Sequence, residues 1–238
     1  MVWAVLALGA IWLAFRRRAR SVVGWILRGG VAVLGLVILA TAFYSWVNPP
    51  TTPYMWAEGR RSGPVAQDWV PLEEISPHMR RSAVAAEDVN FCRHWGLDIT
   101  AIRAAIADGR GRGASTISQQ TVKNVYLWHG RSWFRKAVEA GWTPLVESIW
   151  GKERILEVYL NVAEFDTGVF GVEAAARHYF GVSARDLSAL QAARLAAVLP
   201  NPKGWSASEP SDWVRDRTRS IMDGAATIDR DGRAECFQ

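Results

Sequence analysis

The sequence predicts a mainly α protein, a helical domain behind an N-terminal membrane-spanning helix. Three observations carry this. Residues 29–47 run for 19 positions without a charge, helix caps and apolar stripes follow one another from Ser76 to Pro200, and no stretch shows the alternation or hairpin spacing of a sheet protein. The 238 residues, half of them apolar, supply one domain of ordinary size with a sizeable core and exclude a disordered chain.

A helix of 19 residues reaches about 28 Å, close to a hydrocarbon core of roughly 30 Å. Arg16, Arg17, Arg18, Arg20 and Arg28 precede or border this run with no acidic residue among them, and the next charge is Glu58. The positive-inside rule therefore leaves the N-terminus in the cytoplasm and everything after residue 47 outside, with Tyr44 and Trp46 at the outer interface. Met1 to Phe15 is a second apolar run, short for a span and on the wrong side of the arginines for a cleaved signal. An interfacial helix, a short first span and a mis-assigned start are its three readings.

The formal net charge is 28 − 23 = +5, and the five N-terminal arginines account for all of it, so the remaining 210 residues are neutral overall. A general nucleic-acid binder carries its basic surface on the folded domain, and that class is excluded. Cys92 and Cys236 are too few and too far apart for a disulfide framework or a metal knuckle, and they leave the compartment undecided.

Asn48-Pro-Pro-Thr-Thr-Pro53 cannot continue a helix and reads as a stiff spacer, giving the division 1–28, 29–47, linker 48–69 and folded domain 70–238. Ser76-Pro77 starts a helix that runs through Glu87 and Asp88. Asp98 caps a second helix with Ile99, Ile102 and Ile106 on one stripe. Gly109–Gly113 is a Gly/Arg loop, after which Ser115 is expected to cap a helix through Lys123. Ser132 caps the next, with Pro144 as an expected kink. Lys152 to Leu160 is amphipathic, and Ser188…Gln191 is a capping-box pattern before an Ala/Leu helix ending at Pro200.

Several chemistries are missing. No phosphate-binding glycine loop occurs, His78, His94, His129 and His178 lack the spacing of a zinc site, and none of the four lysines lies three residues after a serine, which excludes a serine acyl-enzyme of the penicillin-binding type. Carboxylates beside cations remain. Glu87-Asp88 ends one helix, and Glu139 follows Arg135 by one helical turn on the same face. Paired acids with cations suit glycosyl transfer from a donor with an anionic leaving group. Each pair taken alone is no more than a cap or a surface ion pair.

Read together, Glu87-Asp-Val-Asn-Phe-Cys-Arg-His-Trp-Gly-Leu-Asp98, Gly113-Ala-Ser-Thr-Ile-Ser-Gln-Gln-Thr-Val-Lys-Asn124, Arg135-Lys-Ala-Val-Glu139 and Arg154-Ile-Leu-Glu-Val-Tyr-Leu-Asn161 occur in that order within about 75 residues. This resembles the peptidoglycan glycosyltransferase family over roughly residues 70–205, including Gly171–Gly181 and Leu195–Pro202. With the chain ending soon afterwards, the likeness is to its monofunctional members.

The resemblance implies a lysozyme-like α-helical fold and polymerisation of lipid II into β-1,4-linked glycan. Glu87 matches the essential glutamate that takes the proton of the acceptor 4-hydroxyl, and Glu139 the second glutamate near the donor site. Ser115, Gln120, Lys123, Arg131, Arg135 and Lys136 match positions that hold the departing lipid diphosphate. His94, Phe91, Gly96 and Asp98 also match the first motif and read as support for the loop that aims Glu87. Cys92 falls between motif positions and reads as inert. Gln191 and Val182 depart from the usual Glu and Lys, both away from the catalytic segments. No cofactor is required; a divalent cation (Mg or Mn) near the diphosphate, with Asp88 as its ligand, is the one the resemblance leaves open, and no metal site is assigned. The implied partners are lipid II, the growing glycan, the membrane and other cell-wall synthesis or division proteins, and the implied location is the cell inner membrane with a periplasmic domain. The alternatives are a lysozyme-like lytic enzyme that cuts existing glycan and a catalytically idle cell-wall scaffold.

Overall fold

The computed structural model describes residues 2–108, 115–130 and 132–238, with side chains from residue 22 onward except Ile106 and Asp108. The chain divides into two units, Met1–Trp46 and Val47–Gln238. The first is a helix, α1 (Val2–Trp46), whose stretch Val22–Trp46 has a mean hydropathy of 2.2 and is long and apolar enough to cross a membrane. Its Leu27, Val31, Leu34 and Leu39 are exposed, as lipid-facing side chains are and core side chains are not.

The second unit is helical, with a small sheet. Its helices are α2 (Pro53–Ser62), α3 (Pro77–Glu87), α4 (Ile99–Asp108), α5 (Ile117–Tyr126), α6 (Trp133–Ile149), α7 (Lys152–Val162), α8 (Val172–Phe180), α9 (Ala189–Val198) and α10 (Asp212–Arg230). One layer is made by α3, α9 and α10 packed against one another, and a second by α5 with α6 and α7. The Ala-rich face of α9 lets its neighbours approach closely, with Ala192, Ala193, Ala196 and Ala197 all fully buried.

Start signals work as the sequence predicts at four helices, one of them α4, where Asp98 accepts from the Ala101 N–H. Ser76, Ser132 and Ser188 accept from the backbone N–H of His78, Arg135 and Gln191, and Gln191 completes a capping box that an Ala there would lose. At α5 the cap is Thr116 and not Ser115. Thr116 accepts from Gln119 N–H while Gln119 returns a bond to Thr116 N–H, so the reciprocal box settles the boundary one residue later. Helix α6 runs through Pro144 as one assigned helix, so the expected kink does not divide it.

Two expectations change. The segment read as a linker, 48–69, is folded from Pro53 onward. Thr52 caps α2 with Pro53 at its first position, the same Thr-Pro start signal that a run of prolines hides, and Met55 and Glu58 on α2 are buried. There is also a three-stranded sheet in the order β1 (Ala66–Gln67), β3 (Val169–Phe170), β2 (Glu164–Asp166), with β1 parallel and β2 antiparallel to β3. Strands of two or three residues are too short to show alternation. Buried Asn161 on α7 ties this sheet to the helices: its amide exchanges bonds with Val70 N–H (2.9 Å) and Val70 C=O (2.8 Å), and its carbonyl accepts from Gln67 (3.0 Å).

The cysteines overturn a third expectation. Cys92 and Cys236 form a disulfide across 144 residues, because the chain after α10 folds back and buries Phe237 against Phe91. Arg80 Nη1 donates to Phe237 C=O at 3.3 Å and holds the same segment.

Candidate active site

Glu87 is the last residue of α3, and Asp88 leaves the helix as its C-terminal cap. The buried Asp88 carboxylate spans two elements, meeting His94 Nε2 through Oδ1 at 2.7 Å and accepting from Ile117 N–H through Oδ2 at 3.0 Å. It thereby joins the loop after α3 to the first turn of α5. One turn along α5, Gln120 Nε2 donates to Glu87 Oε2 at 2.9 Å. The loop has its own braces: Asn90 and the Ala101 N–H both donate to Asp98, and Thr116 Oγ1 donates to Gly96 C=O at 2.6 Å. His94, Phe91, Gly96 and Asp98 thus all lie in the packing of this loop.

Gly96 has φ +84°, and a Cβ there would lie 2.6 Å from Thr143 Cγ2 and 2.9 Å from Glu147 Cγ. Left-handed strain adds to overpacking. Gly96→Ala is therefore expected to cost about 3 kcal/mol, roughly 6–12 °C in Tm for a domain of this size. Thermal unfolding checks it, and a Tm within a degree of wild type would show that the α6 face yields.

The second acid, Glu139 on α6, has a side chain only 2% exposed and is ion-paired to Arg135 Nη1 at 2.6 Å and to Lys136 Nζ. Lys136 Nζ also donates to Ser115 Oγ at 2.7 Å, which carries the cation pair toward the start of α5. Lys123 on α5 lies in the field of Glu139 and Glu87. Burial pulls its pKa below the usual lysine range, against the pull of Glu139. The Glu87 side chain is 13% exposed, and burial pushes its pKa up, opposed by the bond from Gln120 and the charges of Arg217 and Lys123.

The structure thus brings Glu87 to Gln120, joins Ser115, Arg135 and Lys136 to Glu139, and puts Lys123 in the field of both acids. Arg131 and the Gly109–Gly113 loop lie outside the described residues. A groove of about 680 Å³ is lined by Ala86, Glu87, Ser115, Gln120, Pro200, Trp205, Trp213 and Arg217. A smaller cavity of about 240 Å³ shares Gln120 and adds Lys123, Asn124, His129 and Tyr54.

Sequence reasoning missed Arg217 on α10, whose Nη2 lies 3.5 Å from Glu87 Oε1, and missed the two tryptophans beside it. Ser211-Asp-Trp-Val marks the start of α10, and Ser211 does cap it. Nothing local says that its arginine reaches a glutamate 130 residues away. Both oxygens of Asp88, the candidate cation ligand, already have a partner, His94 on one and the Ile117 N–H on the other. Among the described residues no cluster of three His, Cys, Asp or Glu side chains is placed to hold a metal.

A helical scaffold holding a desolvated glutamate in the same groove as a serine whose hydroxyl accepts from a lysine, itself paired to a second acid, defines a group-transfer site for substrates that release an anion. The family model described as transglycosylase matches residues 58–226, and the chain belongs to that family. It is similar to the biosynthetic peptidoglycan transglycosylase of Jannaschia sp. (strain CCS1), 59% identical over 222 residues and covering 93% of each chain. Proteins described in the same words from Rhodospirillum centenum (49% identical, covering 91% of this chain and 98% of the relative) and Caulobacter vibrioides (45% identical, covering 87% and 91%) are further relatives.

Proposed function

We propose that the chain is a membrane-anchored peptidoglycan glycosyltransferase that polymerises lipid II into β-1,4-linked glycan with inversion and release of undecaprenyl diphosphate. The observation that carries this is the groove that Glu87 and Ser115 both line, with Ser115 accepting from Lys136 of the Lys136–Glu139–Arg135 cluster. Glu87 removes the proton of the acceptor GlcNAc 4-hydroxyl as that oxygen bonds to C1 of the donor MurNAc. The C1–O bond to the diphosphate breaks, and the electron pair leaves with the lipid. Attack opposite an α-linked diphosphate leaves a β link in one step, so no covalent intermediate is needed. Burial raises the basicity of Glu87, and Gln120 fixes which oxygen faces the groove. Lys123, Arg135 and Lys136 receive the charge that develops on the diphosphate, and Glu139 holds the latter two in place.

Location follows from two independent features. The arginines before the span favour a cytoplasmic N-terminus. The Cys92–Cys236 bridge lies beyond the span, and a structural disulfide of this kind persists in an oxidising compartment. Both support a catalytic domain on the periplasmic side of the inner membrane. Trp133 and Phe134, 92% and 70% exposed next to Arg135 and Lys136, suit a lipid headgroup boundary.

Purified full-length protein incubated with lipid II is expected to give long glycan and undecaprenyl diphosphate. Release of soluble muropeptides from sacculi, with lipid II untouched, would replace this reading with the lytic one. Lys136→Ala is expected to lower kcat about 10²-fold, the scale of losing one preorganised charge donor. Arg135 still pairs the buried Glu139 in this variant, thermal unfolding checks that it is folded, and a kcat within threefold of wild type would remove Lys136 from the diphosphate site.

A further inference from the structure

Trp213 is the second residue of α10 and remains 52% exposed, a large apolar surface left open beside a reactive carboxylate. Its ring centroid lies 4.3 Å from that of Trp205, and the two planes are tilted by 38°. Both line the groove that holds Glu87. One helical turn after Trp213, the Arg217 guanidinium lies 5.7 Å from the Trp213 ring centroid and 3.5 Å from Glu87 Oε1. Trp213 and Arg217 are thus set in register with the carboxylate by a single helix, and Trp205, on the segment before α10, completes the pair.

An indole face carries negative charge density, so it repels a diphosphate and attracts the polarised C–H bonds of a neutral ring. A β-linked acetamido-pyranose suits it, because its substituents are equatorial and its axial hydrogens form an apolar face. The cations beside Ser115 serve the opposite chemistry. The diphosphate is thus left to Lys136, bonded to Ser115, and the sugar face to the indoles, while Arg217 beside Trp213 is engaged with Glu87. At about 680 Å³ the groove lies in the usual size range of ligand sites.

Resting on the glycosyltransferase reading above, we propose that Trp205 and Trp213 form the platform on which the acceptor's sugar ring stacks, so that its free hydroxyl faces Glu87. The pair is a binding platform, and the chemical step stays with Glu87.

The test uses the full-length chain in detergent, with Trp205→Ala, Trp213→Ala and the two Phe variants. The Ala variants are expected to raise the KM for lipid II about tenfold, with the loss falling on KM and not on kcat, as removal of uniform binding requires. The Phe variants retain a stacking face and recover most of the loss. Saturation-transfer NMR with N,N′-diacetylchitobiose as probe is expected to show ring-proton contacts that both Ala variants lose. Unchanged KM and retained chitobiose contacts in both Ala variants overturn the platform, as does a fall in kcat with KM unchanged. If wild-type protein fails to polymerise lipid II, the preceding reading falls, and the chitobiose contacts still decide the platform. Should an Ala variant unfold, the Phe variant of that position decides by the same two measurements.

Discussion

Glu87→Gln is expected to lower polymerisation about 10²–10⁴-fold, the contribution of a positioned general base, while the protein stays folded and in the membrane. Gln is isosteric and retains one acceptor oxygen, enough for either Gln120 or Arg217, which meet different oxygens of the native carboxylate. Burial raises the pKa of Glu87, so the charge disfavours the folded state above that pKa. The uncharged variant should therefore melt no lower than wild type. Unchanged polymerisation would reject Glu87 as base and favour the idle-scaffold reading. The pH profile adds a second readout. A base acts when deprotonated, so kcat/KM falls as pH drops through a pKa above the ordinary carboxylate range. Lys123 must be protonated to attract diphosphate, and its pKa is depressed by burial, so kcat/KM also falls as pH rises through that value. Lys123→Arg should carry the alkaline limb to higher pH; a limb that stays put assigns it to another group.

Removing the disulfide is expected to cost about 3–5 kcal/mol, because Cys92 and Cys236 close a loop across 144 residues and loop-closure entropy grows with length. For a domain of this size that is roughly 6–20 °C in Tm. The bridge holds Phe237 against Phe91, and Arg233 Nη1 donates to Val89 C=O nearby, so its loss also loosens the segment that follows Asp88. Cys92→Ser, or a reducing agent, should lower both Tm and turnover. Thiol titration of protein taken directly from membranes should find no free cysteine. Two free thiols there would remove the disulfide as support for the periplasmic assignment.

How much was legible in the sequence follows the range of each interaction. Ser76, Ser132 and Ser188 cap the helices they announce, because a cap bonds within three residues. Ser115 and Thr116 are adjacent candidates, and only the bond returned by Gln119 decides between them. The ordered motifs name candidate acids and cations, and the structure adds how they pair: Arg135 and Lys136 both turn to Glu139, whereas Gln120 turns to Glu87. Arg217 and the Cys92–Cys236 pair escaped because each joins segments more than a hundred residues apart. Helix α2 escaped for the opposite reason, a strong local start signal hidden in a proline-rich run.

Asp88 gives this arrangement a mechanical character. One oxygen grips the imidazole of the loop and the other grips the first amide of α5, so Glu87 and the Gln120 amide bonded to it are fastened to a common bracket. Misalignment of about 1 Å in such chemistry costs on the order of a hundredfold in rate. A bracket assembled once, during folding, spares each reaction the work of realigning its tools.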